Sequence, residues 1–242
     1  MKRPSWTLTV VMVIGAAIFG IGFDHYQWFP YRTLRLAVTH EWPLTTAEKY
    51  IRARTTFLRQ MEESADVVML GDSLTEGGGD WRDFFPDILV QNWGISGDTT
   101  EGVLQRLDEV IGRKPKVVAV LIGINDVRAG IDPAKIILGV EEILRRIKAS
   151  GTVPIMQSIL LTNNEPDTNA AVARINTTIA AWCAEEKITF LNLNRVLAPF
   201  GILDQAISTD GVHLNHTGYL KWSGTLHPEL RRALARRTAD HG

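Results

Sequence analysis

The sequence predicts a three-layer α/β domain built on a parallel sheet, and three observations carry that prediction. Short β-branched apolar runs recur along the chain, amphipathic helical patterns separate them, and small, polar or ionisable residues follow the runs. Runs that are apolar at nearly every position suit strands covered on both faces. Strand–helix alternation of this kind implies right-handed crossovers and a sheet sandwiched between helices.

The first 32 residues stand apart from that pattern. Lys2 and Arg3 precede a stretch from Trp6 to Phe23 that carries no charge, and Tyr26, Trp28, Phe29 and Tyr31 crowd its far end. As a helix the stretch spans about 27 Å, close to the ~30 Å hydrocarbon core of a bilayer. Residues 1–32 are therefore expected to form an N-terminal transmembrane helix, with aromatics at its interface and the positive flank held in the cytoplasm. The domain would then lie in the periplasm of a bacterium, tethered by a single pass through the inner membrane. The alternative is a cleaved signal peptide, for which Gly20 and Gly22 are the candidate small-x-small site, leaving a secreted or periplasmic protein.

Residues 33–63 read as a linker followed by a leading helix, "TTAEKYIRARTTFLRQMEE", with Tyr50, Phe57, Leu58 and Met61 expected on its apolar side. Residues 64–242 form the main domain, with no internal repeat and no low-complexity tract. Its strands are read at "DVVML", "DILVQNW", "KVVAVLI", "TVPIMQSI" and "ITFLNL". Its helices are read at "TTEGVLQRLDEVIGRKP", "DPAKIILGVEEILRRIKASG", "NAAVARINTTIAAWCAEEK" and "HTGYLKWSGTLHPELRRALARR". Asp132 and Pro133 mark one helix start, and Gly151 marks its end.

Bulk composition excludes several function classes. The 242 residues are 45% hydrophobic, enough for one sizeable domain plus an appendage. A formal net charge of −1 gives no electrostatic case for a nucleic-acid partner. The single cysteine, Cys183, excludes an intrachain disulfide framework and a cysteine-rich metal site; within a helical pattern it reads as a small buried apolar residue. No cofactor or metal is expected. Oligomeric state is not legible in the sequence.

In open parallel sheets, ligands bind beyond the carboxyl ends of the strands. The first strand ends in Gly71-Asp72-Ser73, the second in "NWGISGDTT", the third in "GINDV" and the fourth at Gln157-Ser158, while "STDGVHLNHTGY" follows the fifth. A Walker-type phosphate cradle needs a lysine that does not follow Gly77–Gly79, and the glycine spacing fails for a dinucleotide site. The Gly-x-Ser-x-Gly elbow of α/β-hydrolases is also absent.

A serine hydroxyl is a poor nucleophile until a base takes its proton, and that base needs an acid to fix its tautomer. Asp210 and His213, spaced Asp-x-x-His, can supply both to Ser73. Preorganised donors must also meet the developing oxyanion. The Ser73 N–H, the Gly97 N–H and the Asn125 side-chain amide are the candidates. Each of these residues is unremarked alone, since Asp-x-x-His is common, Gly97 fits a turn and Asn125 fits a cap; their conjunction at successive strand ends is the signal.

Together these residues resemble the SGNH (GDSL) hydrolase superfamily. "GDSL" at Gly71–Leu74, "GISGDT" around Gly97, "GIND" around Asn125 and "DGVH" at Asp210–His213 match its four blocks in order, over roughly residues 64–230. The resemblance implies a flavodoxin-like five-stranded parallel sheet in the order 2-1-3-4-5 and metal-free serine esterase chemistry. It implies Ser73 as nucleophile, His213 as base, Asp210 as its orienting acid, and Ser73, Gly97 and Asn125 as the oxyanion hole. Asp72, Asp98 and Asp126 are read as structural, bonding the loops that hold the donors. Leucine follows His213 where many members carry proline, and "HLNHTGY" looks like the branch of platelet-activating-factor acetylhydrolases and carbohydrate O-acetyl esterases. His216 is read as a helix-start or loop residue.

The expected substrate is a carboxylic ester of a small molecule, glycan or lipid, with a short acyl group favoured. Lysophospholipid or thioester hydrolysis is the alternative within that chemistry, and a non-catalytic, membrane-tethered glycan-binding module is the alternative outside it. Trp81, Phe84 and Phe85, just after Gly77–Gly79, either wall an acyl pocket or pack the core.

Overall fold

The computed structural model describes residues 45–61 and 64–239. The expected membrane helix at 1–32 lies outside these residues; among the described residues no helix is long and apolar enough to cross a membrane.

Five strands form one parallel sheet in the expected order 2-1-3-4-5: β1 (Val67–Gly71), β2 (Val90–Gly94), β3 (Val117–Leu121), β4 (Val153–Gln157) and β5 (Thr189–Leu191). Val67 pairs with Val90 on one side and Val117 on the other, so β1 is an interior strand and starts level with its neighbours. Every residue of β1 and β3 is buried, which is why both read as unbroken apolar runs.

One face of the sheet is covered by α3 (Thr100–Gly112), α5 (Pro133–Ala149) and α6 (Pro166–Glu185), packed side by side. The last helix, α8 (His216–Ala239), lies against β3. Between them sit three short helices: α2 (Ser73–Glu76), α4 (Ile124–Arg128) and α7 (Asn194–Leu197). The leading helix α1 (Thr46–Gln60) precedes β1.

Local chemistry explains the boundaries. Asp132 caps α5 by accepting the Ala134 N–H at 2.9 Å, with Pro133 in the first turn, and Gly151 leaves the helix at φ +80°. The helix α6 starts at Pro166, three residues before the expected Asn169, because proline pre-sets the first turn. Asn169 instead turns inward and brackets Thr162, accepting its N–H at 2.7 Å and donating to its carbonyl at 2.8 Å. Asn176 does the same for Ile159, at 2.9 and 2.8 Å. The irregular exit from β4 thus has its backbone satisfied by side chains where no strand runs alongside.

The apolar side of α1 is narrower than its spacing suggests. Leu58 is fully buried and Met61 packs against the core, whereas Tyr50 and Phe57 are exposed and Phe57 lies beneath the Arg54 guanidinium. The C-terminal end of α1 is held by Arg113, which donates to the Leu58 and Arg59 carbonyls at 2.9 Å.

Two of the three aromatics after the glycine run are core, and Phe84 is half-buried against it. Trp81 and Phe85 are fully buried, stacked 5.8 Å apart, and Trp81 meets Trp222 of α8 edge-on at 5.0 Å. Trp81 Nε1 donates to the Thr75 carbonyl at 3.0 Å and Tyr219 Oη to the Leu74 carbonyl at 2.9 Å. Two rings therefore fasten the carbonyl end of α2, which is too short to hold itself.

Two glycines let α2 sit where it does. A Cβ on Gly94 would come within 2.1 Å of the Glu76 nitrogen and 2.6 Å of its Cα, and one on Gly71 within 2.2 Å of the Leu121 carbonyl oxygen. Backbone cannot swing aside as a side chain can. Gly94→Ala is expected to cost about 1–3 kcal/mol or more, seen as a drop of several degrees in thermal unfolding. Gly112→Ala, where nothing lies within 4 Å, is the neutral control.

Candidate active site

The strand ends place the predicted residues along one edge of the sheet. Ser73 opens α2 directly after β1; Asp72 caps that helix by accepting the Leu74 N–H at 2.9 Å. Gly97 lies in the loop after β2, and Asn125 lies on α4 after β3. Asp210 and His213 lie in the loop before α8.

That last loop is folded tightly on itself. Ser208 bridges to Leu214, the Thr209 N–H donates to the His213 carbonyl at 2.9 Å, and Gly211 turns the chain at φ +88°. The Asn163 N–H donates to the Gly211 carbonyl at 2.8 Å, so the exit of β4 braces the loop from outside. Asp210 Oδ1 accepts the Val212 and His213 N–H groups at 2.9 and 2.7 Å, while its Oδ2 lies 2.7 Å from His213 Nδ1. His213 Nε2 then lies 3.0 Å from Ser73 Oγ. Serine, imidazole and carboxylate form one continuous chain of hydrogen bonds across 140 residues of sequence.

Burial pushes the Asp210 carboxyl up, but hydrogen bonds from the His213 ring and from two backbone N–H groups outweigh it and bring it down to about 2. The carboxylate is thus ionised throughout the neutral range and holds the Nδ1 proton on the imidazole, leaving Nε2 free to accept from Ser73.

The predicted donors are held by a second set of bonds. The Asp98 N–H donates to the Ile95 carbonyl at 3.0 Å and Gly97 adopts φ +78°, the signature of a type II turn over Ile95–Asp98 with Gly97 third. A Cβ there would meet nothing within 4 Å, so the glycine serves the backbone angle rather than a packing gap. Asn125 donates one amide hydrogen to the Asp98 carbonyl at 2.8 Å, bringing its side chain to the same turn and leaving a second hydrogen.

Three carboxylates lie beneath this edge. Asp98 pairs with Arg106 at 2.8 Å, both side chains buried, and Arg106 also donates to the Gly71 carbonyl at 3.1 Å. Asp126 accepts the Thr100 hydroxyl at 2.7 Å and its N–H at 3.1 Å. Burial pushes the Asp98 and Asp126 carboxyls up and the Arg106 guanidinium down, with the direct contacts opposing each shift. Asp72 is the extreme case. Burial first, then the charges of Asp98 and Asp126, raise it to about 7 against the Leu74 N–H, and its Oδ2 has no hydrogen-bond partner among the described residues.

Other strand-end polar residues serve the scaffold. Asn92 donates to the Glu76 and Gly79 carbonyls at 3.0 and 2.8 Å, Gln157 accepts the Trp222 N–H at 2.6 Å, and Ser158 Oγ accepts the Leu193 N–H at 3.0 Å. His216 opens α8 with its ring 5.8 Å from Phe84. Cys183 is buried in α6, and burial pushes its thiol up to about 12. Sequence reasoning missed Arg106, whose position on the buried face of an amphipathic helix was the available signal, and Glu76, which had none.

Residues 69–221 match the profile of the GDSL-like Lipase/Acylhydrolase family. The chain is 28% identical over 195 residues to the platelet-activating factor acetylhydrolase IB subunit alpha1 of Bos taurus, covering 75% of this chain and 80% of that one. It is 31% identical over 117 residues to an arylesterase of Vibrio mimicus, covering 43% and 58%. A GDSL-like lipase of known structure from Bacteroides thetaiotaomicron shares the fold, with a TM-score of 0.67 and 23% identity over 78% of this chain and 98% of that one.

The buried Asp72 makes stability depend on pH. Its carboxyl is raised from 3.8 to about 7, so the folded state keeps a proton that the unfolded chain has lost. That contribution is complete below about pH 4 and disappears as pH rises through about 7, an upper bound on the order of 4 kcal/mol. Asp72→Asn keeps the oxygen that caps Leu74 and cannot ionise. The melting temperature of wild type minus that of Asp72→Asn is therefore expected to fall between pH 4 and pH 8, measured by calorimetry across that range.

Proposed function

Since the chain belongs to the GDSL-like Lipase/Acylhydrolase family, an ester-hydrolysing family, we propose that Ser73, His213 and Asp210 are its catalytic triad and that its substrates carry short acyl groups. The observation that carries this reading is the unbroken Ser73–His213–Asp210 relay, with contacts of 3.0 and 2.7 Å. In the first step Ser73 Oγ attacks the ester carbonyl carbon while His213 Nε2 takes its proton. The carbonyl π electrons move onto oxygen, and the Ser73 and Gly97 N–H groups with the free Asn125 amide hydrogen stabilise that charge. Collapse of the tetrahedral intermediate expels the alkoxide, which His213 protonates. Water, deprotonated by His213, then attacks the acyl-serine and releases the acid.

A preference for acetyl or similarly short groups is supported by the name of the bovine relative, an acetylhydrolase, and by the burial of Trp81 and Phe85, which removes two of the three aromatics that would have lined a deeper acyl groove. The same proposal places the enzyme at the periplasmic side of an inner membrane, on the strength of Lys2, Arg3 and the uncharged stretch Trp6–Phe23.

A chain-length series of p-nitrophenyl esters from C2 to C16 tests the assignment on the full chain. Activity is expected to peak at C2–C4, and Ser73→Ala to lose at least ~10³-fold. A peak at C8 or beyond moves the substrate to lipid acyl esters; equal inertness of wild type and Ser73→Ala overturns the triad and favours a binding module.

Asp210→Asn keeps the oxygen that accepts two backbone N–H groups but turns a donor toward His213 Nδ1, selecting the wrong tautomer. A fall in kcat on the order of 10⁴ is expected, by analogy with the same change in serine proteases. Asn125→Ala is expected to lower kcat by about 10²–10³.

A further inference from the structure

Gly97 offers its N–H from the central peptide of the Ile95–Asp98 turn. Type I and type II turns differ by a rotation of that peptide through about 180°. An oxyanion donor in this position points correctly only while the peptide is prevented from rotating. The far side of the turn is held by Asn125 at the Asp98 carbonyl. The near side is held by a residue with no part in the triad.

Glu76 is the last residue of α2, one turn from Ser73. Its Oε2 accepts both the Ser96 N–H and the Ser96 hydroxyl, each at 2.6 Å. Its other oxygen, Oε1, accepts the Tyr50 hydroxyl and lies 3.3 Å from Arg54 Nε, which is equally far from the Gly94 carbonyl. The Glu76 backbone is itself fixed, its N–H on the Asp72 carbonyl at 2.9 Å and its carbonyl on Asn92 at 3.0 Å. The nucleophile helix therefore reaches across to the turn that carries Gly97, and α1 orients the reaching carboxylate from behind.

We propose that Glu76 is a positioning residue for the oxyanion hole, clamping Ser96 so that the Gly97 N–H stays aimed at the reacting carbonyl, and that Tyr50 and Arg54 of α1 orient the clamp. This rests on the assignment of Ser73 as nucleophile and Gly97 as oxyanion donor. A charged acceptor holding two donors on one residue fixes both the peptide before Ser96 and its side-chain rotamer, which leaves the following peptide little freedom to turn over. A clamp of this kind affects the transition state, where charge sits on the oxyanion, and leaves ground-state ester binding nearly unchanged.

The test compares Glu76→Ala, Glu76→Gln and Tyr50→Phe with wild type, Ser73→Ala and Asn125→Ala on the full chain. Three quantities are read: kcat and KM on p-nitrophenyl acetate, melting temperature, and inhibition by a trifluoromethyl ketone, which forms a tetrahedral oxyanion on serine. Glu76→Ala is expected to lower kcat on the order of 10²-fold, the scale of an oxyanion donor, with KM within about 2-fold. Inhibitor affinity should weaken by a matching factor. Glu76→Gln keeps one oxygen for Ser96 and should recover most of the loss, while Tyr50→Phe should lose roughly 2- to 10-fold, the scale of one hydrogen bond. If wild type is active, Ser73→Ala inert and Glu76→Ala unchanged in kcat, the clamp is overturned and the triad stands. If kcat falls while inhibitor affinity is unchanged, Glu76 acts through the fold alone and the clamp is again overturned. If Ser73→Ala retains wild-type activity, the nucleophile assignment fails and takes the clamp with it.

Discussion

The close approach of α2 to the end of β2 is the constraint on which the site depends. The helix that presents Ser73 is only four residues long, too short to be stable by its own hydrogen bonds. It is held by contact: glycine at 94 admits its backbone and glycine at 71 its Thr75 side chain, Asp72 caps its start, and Trp81 and Tyr219 bind its carbonyls. Because all of these partners come from the sheet edge or from the core beneath it, the hydroxyl and the strands that carry the other functional groups are fixed in one frame. The parallel register then brings the ends of β1, β2 and β3 level, so that Ser73, the Gly97 turn and Asn125 converge without long loops.

The electrostatics of this frame are unusual in sign. Asp72, Asp98 and Asp126 sit within one another's fields, and only Asp98 has a buried cation. A buried pair such as Asp98–Arg106 gains little net stability over an apolar one, but losing one partner leaves a charge with no compensation. The exposed Asp210 of the proposed triad behaves oppositely: it accepts three hydrogen bonds at the surface and is held ionised. The carboxylate that bonds His213 faces solvent and donors, while those that organise the backbone lie in the low-dielectric interior.

How much of this was legible in the sequence follows from the range of each signal. The five strands and the long helices could be read because burial on both faces leaves continuous apolar runs and because turn and cap residues mark helix ends locally, whereas the order of the sheet came only from the resemblance of the four sequence blocks. The candidate site residues could be singled out because strand ends in a parallel sheet must converge, so that a serine, a glycine, an asparagine and an Asp-x-x-His each acquired meaning from the others. The short helices α2 and α4 were not read, since four or five residues carry no period. The placement of Trp81 and Phe85 was undecided because an aromatic beside glycines looks the same lining a pocket or filling a core; α8, far along the chain, decides it. Asn169 and Asn176 looked like ordinary helix positions, and their role in satisfying the exit of β4 depends on a strand neighbour that is missing in space, which no local pattern records.

The match to the family profile begins at residue 69, yet α1 before it supplies a fully buried Leu58 and two carbonyls that occupy the Arg113 guanidinium, itself stacked 5.0 Å over Trp93. A chain trimmed to the profile would lose the buried Leu58 side chain from its core and leave the Arg113 guanidinium without two of its carbonyl acceptors. The stretch a profile matches and the stretch that closes the core are therefore of different lengths, and α1 lies in the difference.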